Sequence, residues 1–76
     1  MSTSEVVRRI VAENSALAAE DIALETRLDA LGIDSLEFME MMIQVQGAFE
    51  VEIPDEQIAR LNTVEDICKA VEFCQV

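Results

Sequence analysis

The chain of 76 residues contains two glycines, Gly32 and Gly47, and one proline, Pro54, and this scarcity of turn-forming residues limits its fold more than any other feature. A sandwich or barrel of short strands needs tight turns at short intervals, and glycine and proline supply most of them. Helices need far fewer, so an all-α fold is expected. At this length a single core is only marginally stabilising, and residues 1–76 are read as one domain. The sequence is 51% hydrophobic but has only three Phe and no Trp or Tyr, so Leu, Ile, Val, Ala and Met have to fill the interior.

Local signals divide the chain into four helices. Ser2 and Glu5 have the spacing of a reciprocal N-terminal cap, and Val6, Val7, Ile10 and Val11 follow at helical intervals, which predicts a first helix over residues 3–14. Residues 15–34 lack a sustained period yet contain Leu17, Ile22, Leu24, Leu28, Leu31 and Ile33, too many apolar groups for a solvated linker. That segment is expected to lie against the core, to be functional or to hide short helical turns, and to end at Gly32, where the chain can turn tightly. Asp34 is then placed as the N-cap of a second helix, with Ser35 its first residue and Glu37 at the third position, both acids at the positive end of the helix dipole.

Within this second helix Leu36, Met39, Ile43, Gln46 and Phe49, with Met42 beside them, trace a largely apolar face, and Glu37, Glu40 and Gln44 mark a polar one. Core packing is the expected use of the methionine stripe, although methionine is also adaptable enough to line a pocket for variable cargo. Gly47, late in the helix, costs roughly 1 kcal/mol relative to Ala. Pro54 suits the opening of a short helix through Leu61, and Thr63 caps a last helix, with Asp66 at its third position and Val64, Ile67, Cys68 and Val71 as its buried stripe. The expected architecture is a four-helix bundle with three longer helices and one short one.

Charge narrows the partners. Sixteen acidic residues stand against five basic ones, net −11, which argues against nucleic acid and anionic lipid, since both are recognised through clustered Lys and Arg. Between Arg27 and Arg60 there is no cation, whereas Asp29, Asp34, Glu37, Glu40, Glu50, Glu52, Asp55 and Glu56 all fall there. Solubility accounts for many such runs, but this one surrounds Ser35, so basic protein surfaces are the expected partners. Cys68 and Cys74 lie about 240° apart around one helix and cannot pair with each other there. Without CxxC, histidine or a signal-like N-terminus, neither a zinc site nor a secreted disulfide framework is supported, and both cysteines are read as small apolar residues, Cys74 nearer the surface. No apolar run is long enough for a membrane span, and a cytoplasmic monomer is expected.

Asp34-Ser35-Leu36, preceded by Leu31-Gly32-Ile33, puts one hydroxyl at the start of the second helix. The chain has no histidine, so Ser35 lacks the imidazole that a Ser-His hydrolase uses as general base, and Ile33 separates the glycine from Asp-Ser-Leu in a way that spoils a nucleophile-elbow motif. A modification acceptor fits better. The competing reading is an unmodified acidic helical adaptor that binds a basic partner through the second helix, with Ser35 merely a helix-start residue.

Leu31-Gly32-Ile33-Asp34-Ser35-Leu36-Glu37, then Phe49 and Glu52-Ile53-Pro54-Asp55-Glu56, resemble the acyl carrier protein family over nearly the whole chain. The resemblance implies a non-catalytic carrier whose Ser35 bears 4'-phosphopantetheine, transferred from coenzyme A by a phosphopantetheinyl transferase. The arm's thiol holds acyl, aminoacyl or polyketide groups as thioesters and presents them to loading enzymes and synthases with basic docking surfaces. It also implies Asp34, Leu36, Glu37, Met39 and Glu40 as contacts for the transferase and other partners. Gln46 and Gly47 stand where fatty-acid carriers of this family have acids, and Phe38, Met39, Met41 and Met42 replace a more aliphatic pattern, which implies a specialised carrier.

Overall fold

The computed structural model describes residues 2–75. In chain order it contains α1 (Thr3–Glu13), two 3-10 turns (Ala19–Asp21 and Leu28–Ala30), α2 (Ser35–Phe49), α3 (Asp55–Ile58) and α4 (Val64–Cys74). Three long helices and one short helix form the bundle expected from the sequence, and among the described residues there is no strand, only an isolated antiparallel bridge between Arg27 and Thr63.

Each long helix begins with a reciprocal cap, in which a side chain satisfies an amide that the helix itself leaves bare. Glu5 N–H donates to Ser2 Oγ at 3.2 Å and Ser2 N–H to Glu5 Oε1 at 3.3 Å. At α4 the Asp66 N–H donates to Thr63 Oγ1 and the Thr63 N–H to Asp66 Oδ2, both at 3.2 Å. Asp66 Oδ2 also accepts the Asn62 N–H at 2.9 Å, and these backbone donors, Asn62 first, hold its carboxyl below the usual carboxylate range. At the far end of α2, Glu50 takes a left-handed conformation (φ 54°) that lets the Val51 N–H reach back to the Gln46 carbonyl at 3.0 Å, closing the helix as a Schellman turn.

The core gathers Val7, Ile10 and Val11 from α1, Met41, Met42 and Val45 from α2, and Val64, Ile67, Cys68, Ala70 and Val71 from α4, with α1 packed on both α4 and α2. Ile22, Leu28 and Leu31 complete it from the long connection, as its apolar content required, while Leu17 and Leu24 stay at the surface. Cys68 is buried, which pushes its thiol pKa up, and Cys74 is half-buried. α3 is shorter than expected: Pro54 precedes its first residue as N-cap, and the helix ends at Ile58 before a turn rather than continuing to Leu61.

The orientation of α2 differs from the sequence expectation. Met41, Met42 and Val45 are fully buried, with Phe38 and Phe49 packed against them, whereas Leu36 is 69% exposed, Ile43 65% and Met39 40%. The buried face is therefore turned by about a quarter of a turn from the one expected. The physical reason is that Glu37, Glu40 and Gln44 fill only one side of the helix, and the remaining arc is apolar and wider than the core can cover. The core takes the half nearer α1; the other half is left in water.

This orientation fixes the cost of two adjacent truncations. Met42→Ala opens a cavity in the core and is expected to lower the unfolding free energy by about 2–5 kcal/mol. Ile43→Ala should stay within about 0.5 kcal/mol. Urea denaturation of both variants checks this, and equal losses would mean that α2 presents a different face to the core.

Candidate functional site

The start of α2 is positioned by backbone pairing far from it in sequence. Leu28 N–H donates to the Asn62 carbonyl (2.9 Å), Val64 N–H to the Thr26 carbonyl (3.0 Å) and Glu65 N–H to the Leu24 carbonyl (2.9 Å). This clip brings the long connection alongside the α3–α4 turn, so that Leu28 and Leu61 come together. Gly32 then reverses the chain at φ +73°, a conformation in which any side chain would be strained although no atom lies within 4 Å of where its Cβ would stand. Ile33 packs on the core and Asp34 opens α2.

Asp34 Oδ1 accepts the Glu37 N–H at 2.7 Å, and Glu37 Oε1 accepts the Asp34 N–H at 3.0 Å. The two acids are thus engaged with backbone amides rather than with Ser35. Ser35 is exposed, its hydroxyl has no hydrogen-bond partner among the described residues, and the N–H groups of Ser35 and Leu36 have no acceptor there either. Beside it opens a cleft of about 210 Å³ lined by Leu28, Asp29, Ile33, Asp34, Ser35, Phe38 and Leu61. Its walls are mainly apolar. Asp29 at the rim is hydrogen-bonded by the Arg27 guanidinium (Nε at 3.2 Å, Nη2 at 3.1 Å), which holds its carboxyl below the usual carboxylate range.

Asp34, Leu36, Glu37, Met39 and Glu40, the residues expected to meet partners, are all exposed on the first two turns of α2. The structure adds Ile43, one turn beyond Met39, to make an exposed apolar strip next to the acids. The helical period alone placed that strip in the core, whereas the resemblance had Leu36 and Met39 meeting partners; neither identified Leu28, Phe38 and Leu61 as walls of the serine cleft. Their lone signal was apolarity, which core residues share.

Gln46 has a different role from the one its position suggested. Its Nε2 donates to the Met42 carbonyl at 3.1 Å, and its Oε1 accepts the Ile53 N–H at 2.8 Å. The side chain ties α2 to the segment entering α3, so the amide at position 46 serves the fold. Gly47 alone is exposed there.

The bundle leaves the Ser35 hydroxyl exposed at the start of a long helix, with no hydrogen-bond partner among the described residues and no histidine in the chain. Comparison with known proteins gives the family. The family model described as "Phosphopantetheine attachment site" matches residues 5–71. The acyl carrier protein of Campylobacter jejuni subsp. doylei is 33% identical over 73 residues, covering 95% of each chain. That of Helicobacter hepaticus is 33% identical over 73 residues, covering 95% of this chain and 96% of its own, and that of Campylobacter concisus is 33% identical over 73 residues and 95% of each. The chain belongs to the acyl carrier protein family, and its cofactor is covalently bound 4'-phosphopantetheine.

The start of α2 suits that group. A phosphodiester is an anion, and the bare N–H groups of Ser35 and Leu36, together with the positive end of the helix dipole, favour one there. Removing the Gln46 clamp tests how the other end of the helix is held. Gln46→Ala leaves the Ile53 N–H, in a residue only 4% exposed, without its acceptor, and should cost about 1–3 kcal/mol in denaturation. A loss below about 0.5 kcal/mol would show that water replaces the clamp.

Proposed function

We propose that Ser35 is the residue to which the arm is attached and that this single domain, residues 1–76, is a non-catalytic carrier working in the cytoplasm. The exposed, unpartnered hydroxyl at the capped start of α2 carries the reading. In the attachment reaction Ser35 Oγ forms the new bond to the phosphorus of coenzyme A that bears the pantetheine, while the bond from that phosphorus to the bridging pyrophosphate oxygen breaks and adenosine 3',5'-bisphosphate leaves. The proton of Ser35 goes to a base of the transferase, because this chain has no histidine to take it. The attached arm supplies a thiol that holds acyl groups as thioesters.

The protein's own residues supply position and recognition. Leu36, Met39 and Ile43 offer apolar contact, and Glu37 and Glu40 offer charge to a basic enzyme surface. Opposite charge speeds encounter and selects orientation. The partners on this reading are the transferase and the loading enzymes and synthases of lipid or secondary-metabolite synthesis, and the relatives' name favours acyl cargo over aminoacyl.

Incubation of the wild type with coenzyme A and a broad-range phosphopantetheinyl transferase should add one arm, seen by intact-mass measurement, and Ser35→Ala should add none. Modification of the variant would move the site elsewhere; no modification of the wild type by several such transferases would favour the unmodified adaptor. Reversing both Glu37 and Glu40 to Lys should slow the reaction at least severalfold at low salt and less at about 1 M, where the screening length is about 3 Å. Equal rates across the salt series would show that these acids do not steer the transferase.

A further inference from the structure

A concavity of about 670 Å³ lies away from Ser35, between α3 and α4. It combines two features. First, Arg60 and Lys69, both of the cations that follow Arg27 in the sequence, line it, beside Phe73, which is 72% exposed, and Ala70. Second, Leu61 belongs to the lining of this groove and to that of the serine cleft, so the two concavities meet at one side chain.

The charges in the groove are largely available. The Arg60 guanidinium has no partner among the described residues, and Lys69 has only a long exposed pairing with Glu65 at 3.9 Å, the kind that contributes little. Of the two acids in the lining, Asp66 already accepts the backbone amides of Asn62 and Thr63, and Glu56 is exposed on α3. The other place where cations cluster, around Arg8 and Arg9, shares no lining residue with the serine cleft, and Arg8 donates to the Ile22 carbonyl.

We propose that the groove between α3 and α4 receives the far end of a cargo that is apolar along its length and ends in a carboxylate, namely the half-thioester of a medium-chain dicarboxylic acid, carried at Ser35. The proposal rests on Ser35 as the attachment point. A free anion would be disfavoured by the net charge of −11. Tethering offsets that penalty, because attachment through a short flexible arm gives an effective concentration in the millimolar range, enough to half-occupy a site whose Kd is about 1 mM. The methylene chain passes Leu61, lies along Ala70 and Phe73, and brings its carboxylate to Arg60 and Lys69. Lys69 and Phe73 sit on one side of α4, four residues and about 6 Å of rise apart, so charge and apolar contact fall on one short stretch of helix.

Adipyl and hexanoyl groups, equal in carbon number and differing in the terminal carboxylate, separate this site from simple shelter of an acyl chain. Each is loaded from its coenzyme A thioester by a phosphopantetheinyl transferase, and intact mass of the wild type and of Ser35→Ala reports whether the group sits on Ser35. Proton–nitrogen correlation spectra of the two loaded forms should then differ most at the amides of Arg60, Lys69 and Phe73, severalfold more than at residues of α1. The difference should vanish in an Arg60→Gln, Lys69→Gln double variant, whose fold persists because both side chains are exposed, and shrink in about 1 M salt. Spectra that differ only around Leu28 to Phe38, or that are the same for both cargoes, overturn the groove while leaving Ser35 intact. Loading that persists in Ser35→Ala, or no loading of the wild type, shows in the mass alone and overturns the Ser35 assignment together with the groove.

Discussion

Three backbone hydrogen bonds between residues 24–28 and 62–65 hold the arrangement on which the rest of the molecule depends. A connection of twenty-odd residues with little regular structure carries many amide and carbonyl groups, and burying its apolar side chains is favourable only if those polar groups find partners. The pairing of Leu28 with Asn62, Thr26 with Val64 and Leu24 with Glu65 supplies them where the segment crosses the bundle. It lets Ile22, Leu28 and Leu31 enter the core and sets Leu61 beside Leu28, which makes the wall of the cleft next to Ser35.

From that placement follows a division of labour on α2. One side, with Met41, Met42 and Val45, stabilises the bundle by burial, each large side chain contributing about 1.5–3 kcal/mol. The other side, with Leu36, Met39 and Ile43, remains in water beside Glu37 and Glu40, a combination that favours association with a surface both apolar and basic. Asp34 and Glu37 at first sight oppose a phosphate on Ser35 by repulsion. Their carboxylates, however, are hydrogen-bonded in the reciprocal cap and exposed to water, which weakens like-charge repulsion, while the dipole and two bare amides attract.

The sequence disclosed what is local and hid what is not. Ser2 with Glu5, Asp34 with Glu37 and Thr63 with Asp66 are pairs three residues apart, and all three form the caps their spacing announced. The start of α2, and with it the exposure of Ser35, was legible for the same reason. The clip was not, because its partners are separated by more than thirty residues and are backbone groups that every residue possesses. The buried side of α2 was misjudged because Leu36, Met39 and Ile43 are chemically equivalent to Met41, Met42 and Val45, so period alone offers two stripes and only the positions of α1 and α4 choose between them. Nothing in the spacing of Gln46 announces that its amide bridges the Met42 carbonyl and the Ile53 N–H.

The central claim is that the hydroxyl at the start of α2 is where this chain carries its group, and the most direct measurement is peptide mapping by mass spectrometry of protein purified from its own host without added enzyme. The account predicts a phosphopantetheine, free or acylated, on the peptide containing Ser35 and on no other. Protein recovered entirely unmodified, or an arm on a peptide holding Ser2, Ser4 or Ser15 instead, would contradict it.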